Sequence, residues 1–190
     1  MSATSAPFGL RPAFHPSGLD RAIALTDGIA SAYNTDILKG QPVKLDTSGN
    51  IVVAGAGDAF QGAFSGVEWT DTTGRRRVSN YWPANTAYQT GSCVTYYYSD
   101  PNIVYEVQAA GTLSQNAIGE EYDLSNTTAG STTTGLSQAT MSITPAGAGN
   151  NAQMRVINLA PYADNAWGDD YVIVQAQISK HQYVAVSNAI

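Results

Sequence analysis

Cysteine is almost missing from this chain: Cys93 is the single one among 190 residues. That excludes an intramolecular disulfide and a zinc site built on thiolates. The setting of Cys93, in Gly91-Ser92-Cys93-Val94-Thr95, reads as a buried strand position where a thiol serves as a small apolar side chain. Histidine is nearly as scarce, with only His15 and His181, and neither has a nucleophile and a carboxylate at a local spacing that marks a triad. There is no G-x-S-x-G elbow, no Walker loop and no H-E-x-x-H pair. Gly55-Ala56-Gly57 lacks the third glycine of a dinucleotide fingerprint and reads as a turn. These absences lead us to expect no enzyme, no cofactor and no metal centre.

Charge is also sparse. Only 13% of residues are charged, so Thr, Ser, Asn, Gln and Gly must make up much of the surface. The net charge is −6, and no Lys or Arg occurs from Val78 to Met154. Binding along a phosphate backbone needs clustered cations, so no nucleic-acid partner is expected. No apolar run reaches the length of about 18 residues that a spanning helix needs, so no membrane partner is expected either. The opening MSATSAPFGLRPAF has neither a basic start nor an apolar stretch, which implies synthesis in a cytoplasm without a secretion signal.

Strands and glycine turns fill the chain instead. Gly40 to Trp69 reads as a strand at Gln41–Leu45, a turn at Asp46–Asn50, a returning strand at Ile51–Ala54, a second turn at Gly55–Asp58 and an alternating strand from Phe60 to Trp69. Further strands are expected at Arg75–Ser79, Gly91–Tyr98, Ile103–Ala109, Thr140–Thr144, Ala152–Leu159 and Tyr171–Ile178, the last of them central. Ala22–Leu25 and Gly28–Tyr33 read as a strand pair about the turn Thr26-Asp27-Gly28. A short helical turn fits Gly111–Ala117, and TTAGSTTTG at Thr127–Gly135 reads as a mobile loop. No amphipathic helix longer than two turns is present. The fold class is therefore mainly β, a compact antiparallel sandwich or barrel-like body with an extended N-terminal arm. The expected divisions are 1–33 (arm and first strands), 34–117 (main β unit) and 118–190 (a second β portion packed on the first, or continuous with it).

Several groups invite a functional reading. Phe8, Leu10 and Phe14 lie between Pro7, Pro12 and Pro16 on the arm, which cannot bury them by itself; with Arg11 they are candidate contacts with a neighbouring surface. Arg75, Arg76 and Arg77 form the densest charge, read equally as a solvated hairpin tip or as a dock for an acidic partner. Asp164, Asn165, Asp169 and Asp170 form an acidic turn that does not match the spacing of a calcium loop. Tyr96 and Tyr98, with Tyr81, Trp82 and Tyr88, could form a sugar platform, although sheet and interface packing explains such aromatics more simply.

APFGLRPAFHPSG, GQPVKLDTSGNIVVAGAGDAFQGAFSGVEW, TGRRRVSNYWPA, DPNIVYEVQA and DNAWGDDYVIVQAQISKHQY together resemble structural proteins of tailed bacteriophages, closest in kind to capsid decoration (cement) proteins. The resemblance runs from about Ala6 to Tyr183. It implies a mainly β protein on the outer surface of the virion head, bridging major capsid protein subunits without catalysis. It also implies a homo-oligomer, a trimer before a dimer. Other readings are a head-fibre, neck or tail component and a carbohydrate-binding module.

Overall fold

The computed structural model describes residues 4–18 and 21–185. The parts of the expected arm at 1–3 and 19–20, and the end of the expected second β portion at 186–190, lie outside the described residues. Two six-stranded antiparallel sheets pack on one another as a sandwich-like body. Sheet one has the order β1 (Arg11–Phe14), β8 (Val104–Gln108), β14 (Ile173–Ile178), β13 (Met154–Leu159), β9 (Glu121–Ser125), β12 (Thr140–Pro145). Sheet two has the order β2 (Ile23–Thr26), β7 (Val94–Tyr97), β5 (Gly62–Thr70), β3 (Pro42–Leu45), β4 (Ile51–Val53), with β6 (Arg76–Ser79) also on β5. A small ribbon of β10 (Gly130–Ser131) and β11 (Leu136–Ser137) completes the fold.

The local chemistry matches these elements. Asp46 turns the chain between β3 and β4, its carboxylate accepting the backbone N–H of Ser48 and Asn50 at 2.8 and 2.9 Å. Asp100 does the same before β8, accepting Asn102 N–H at 2.8 Å. Three prolines occur within strands: Pro12 in an end strand, Pro42 opening β3 and Pro145 closing the other end strand. A missing N–H costs least at such places. β14 lies inside sheet one as expected, between β8 and β13, with Val174, Ala176 and Ile178 buried. The expected helical turn is a single 3-10 turn at Gln115–Ala117.

One core gathers Leu10, Phe60, Tyr105, Val107, Met141, Met154 and Val174. Phe60 comes from the segment leading into sheet two, so this core ties the two sheets together. The second core lies within sheet two, around Ile37, Val43, Phe64, Trp82 and Tyr97. There the Trp82 ring meets Trp69 and Tyr88 edge-on, at 5.6 and 6.0 Å between centroids.

Three expectations change. Gly28–Tyr33 is not a strand, and β2 pairs with β7 instead. The reason is tertiary: Gly28 C=O accepts Ile51 N–H at 2.6 Å, Ile29 is fully buried, and Tyr88 donates its hydroxyl to Ile29 C=O at 2.7 Å. Thr127–Gly135 is not an open loop, because it carries the ribbon, which is held by Gln41 donating to Thr127 C=O at 2.7 Å and by a bridge from Leu136 to Lys39. The sheets part between Tyr97 and Val104, so β8 joins the sheet of the C-terminal portion.

Candidate contact surface

The N-terminal segment lies along the body of its own chain. β1 pairs with β8, placing Arg11 opposite Glu106. The buried amide of Gln108 accepts Ala6 N–H at 2.9 Å and donates to Thr4 C=O at 3.1 Å. All five residues of β8 are buried because this strap covers one side of them. Leu10 is 1% exposed in the main core, and its N–H donates to Gly40 C=O at 2.7 Å. Leu10 is thus a core residue that reaches the surface only as part of the lining of a groove beside the strap. Its apolar burial is supplied by the chain itself.

Phe8 and Arg11 stay at the surface. The Arg11 guanidinium donates to Glu106 through Nε at 3.0 Å and Nη2 at 2.6 Å, and lies 4.5 Å from the Phe8 ring centroid. Tyr162 joins them, donating its hydroxyl to Glu106 at 2.6 Å and touching Arg11. Burial, then the Glu106 bond, raises the Tyr162 pKa. Phe14, at the end of β1, is 44% exposed.

Beside the strap a groove of about 250 Å³ opens at the seam between the sheets. It is lined by Phe8, Leu10, Arg11 and Pro12 of the strap and by Lys39, Gly40, Phe64, Tyr98 and Leu136 of the body. The backbones approach closely here: a Cβ at Gly9, where φ is +73°, would stand 2.5 Å from Gly40 O. Lys39 and Leu136 carry no signal in the sequence, and Tyr98 stands out there only as a sugar-platform candidate, since all three reach the groove from segments far from the strap.

The arginine cluster is elsewhere, on the outer side of sheet two. Arg76 pairs with Glu68 at 2.8 Å and donates to Ser92 C=O at 2.8 Å. Arg77 pairs with Asp71 at 3.0 Å. Asp71 caps the β5–β6 turn, and its bonds from Thr73, the Arg75 backbone and Arg77 hold its carboxyl well below the usual carboxylate range. Two of the three arginines therefore hold their own hairpin, and Arg75 has no acidic side-chain partner among the described residues.

The remaining candidates have internal work. Trp82 is fully buried, Tyr97 is buried beside it, and Tyr96 donates to Glu68 at 2.9 Å. Trp82 therefore takes no part in an outward-facing aromatic platform. Asn165 holds the acidic turn together, bonding Ala160 C=O and both backbone groups of Ile173, while Asp169 accepts Ala166 N–H. Burial raises the Cys93 pKa, leaving an unreactive thiol. His15 does meet Ser17 (2.6 Å at Nδ1) and Asp100 (3.2 Å at Nε2). The same Nδ1 lone pair accepts Ser17's own N–H at 3.0 Å, so this is a local turn and a poor general base for the hydroxyl.

No protein-family description, curated protein or solved structure matches the chain.

Proposed function

We propose that this protein is a structural virion component, a decoration protein on the outer surface of a tailed-phage head. It binds the major capsid protein there as a homo-oligomer, a trimer before a dimer, and stabilises contacts between capsid subunits. The carrying observation is a cleft lined by half-buried aromatic rings beside an exposed leucine and an exposed arginine. Phe8, Tyr98 and Leu136 gather with Arg11 along the strap and its groove, on a charge-poor β body. Aromatic and arginine side chains on a rigid rim are the composition of protein contacts. A rigid oligomer repeating such a contact over a lattice gains effective concentration without tight single sites.

The test is occupancy on purified particles of the phage that encodes the chain. Quantitative mass spectrometry is expected to find copies in proportion to the major capsid protein, and image reconstruction to place them outside the shell. A copy number matching one ring would assign the chain to the neck or tail instead. Absence from the particle would end the virion reading.

A further inference from the structure

We propose that the seam groove binds an extended protein segment in which an apolar side chain is flanked by carboxylates. The proposal names the chemistry of the partner contact and rests on the reading of this protein as an interaction module.

Charge complementarity chooses the occupant. The molecule as a whole is acidic, yet no Asp or Glu lines this groove. Its two charged lining residues, Arg11 and Lys39, are both cations. Arg11 is already paired with Glu106, at 2.6 Å, so Lys39 is the cation left for a partner. Lys39 is exposed and, like Arg75, has no ion-pair partner among the described residues; unlike Arg75 it lines an apolar cleft. A cation left unpaired in an acidic protein, at the lip of an apolar cleft, favours an incoming carboxylate.

Apolar geometry sets the rest. Leu136 is 45% exposed, Phe8 and Tyr98 are half-buried and Phe64 is buried, and all four line the groove. That space takes an aliphatic or aromatic side chain. Addition of a strand to β1 is not the mode: Pro12 interrupts its outer row of donors after Leu10, whose N–H is already given to Gly40. Binding is by side chains into a preformed cleft, so little ordering cost falls on this protein. Nucleic acid is disfavoured because two cations cannot follow a phosphate backbone.

The test uses a capped, fluorescently labelled octapeptide with one leucine between glutamates, and its counterpart with lysines in place of the glutamates. Anisotropy is expected to show the acidic peptide binding the full chain at least severalfold more tightly, with affinity falling as salt rises. Lys39→Glu is expected to reverse the preference, and Leu136→Asp to abolish binding, with both variants keeping the wild-type thermal midpoint. Equal binding of the two peptides, or an acidic-peptide affinity unmoved in Lys39→Glu, overturns the proposal. Binding of the two variants to heads stripped of this protein separates the two readings. Peptide binding without head binding keeps the groove and overturns the decoration reading. Head binding that survives both variants while no peptide binds overturns the groove and keeps decoration.

Discussion

At the scale of single residues, two positions bear most on stability. Gly62 opens β5 with φ +154°, and a Cβ there would stand 2.0 Å from Tyr98 O and 2.8 Å from the Tyr105 hydroxyl. One obstacle is backbone and the other a buried ring, so neither can swing aside. Gly62→Ala is expected to cost on the order of 3 kcal/mol or more, read as a lowered urea midpoint; a midpoint within experimental error of wild type would show that the seam gives way. His181 is buried, with Nε2 3.0 Å from both Gln61 O and Ser99 O, and Nδ1 accepting Tyr183 N–H at 3.1 Å. Burial lowers its pKa below the ordinary 6.5. Between the two values the unfolded chain binds more protons than the folded one. The stability this group contributes is therefore fully present above about pH 6.5 and is lost as pH falls toward the folded value. Asp58, Asp71 and Asp100 have lowered pKa values, so their contribution is lost only below about 3.8. Denaturation midpoints are expected to drop first between about pH 7 and pH 5, and that step to vanish in His181→Gln. A wild-type midpoint flat over that range would contradict the assignment.

At the scale of elements, the sheets are joined by side chains that act like extra strands. Gln153, fully buried, accepts Leu124 N–H at 2.9 Å and donates to the Gly55 and Asp58 carbonyls at 2.9 Å each. It thereby pins the loop after β4 in sheet two to β9 in sheet one. Gln153→Ala leaves the buried Leu124 N–H and two half-buried carbonyls without their partner and is expected to cost about 2 kcal/mol by chemical denaturation. Gln153→Glu retains an acceptor but places a carboxylate against two carbonyls, so it is expected to be no better. The strap behaves as a strand of the body. Leu10→Ala is expected to lower stability by about 2–4 kcal/mol in the same assay, where an arm held only by a neighbour would leave the isolated chain unchanged. The elements most legible in the sequence were those with their own turn chemistry: β3–β4 about Asp46, β8 after Asp100, and β14 by its alternation. Those that misled depend on distant partners. Gly28–Tyr33 has strand composition but serves Ile51 and Tyr88, and Thr127–Gly135 has loop composition but gains a place against Leu38 and Lys39. Phe8 and Arg11 could be picked out from their surroundings on the strap and Tyr98 from its run of tyrosines, whereas Lys39 and Leu136 could not, because the groove exists only once remote segments meet.

At the scale of the whole molecule, the chain passes between the large sheets twice, from β1 to β2 and from β7 to β8. Both histidines clasp these passages: His15 in the first faces Asp100 in the second, and His181 holds Ser99. The arrangement divides the chain unequally in time. Sheet two uses residues 23–97 alone, so its strands can pair while the rest is still being made. Sheet one needs β1 from the start of the chain and β14 from near its end. During synthesis Phe8 and Leu10 must wait, uncovered, until Val104–Gln108 and then Ile173–Ile178 emerge, and closing so long a loop is slow. The surface that we assign to a partner thus needs β8 and Leu136, both made well after the strap itself. A copy that ends before Val104 has no strand on which the strap can pair, and so lacks the groove.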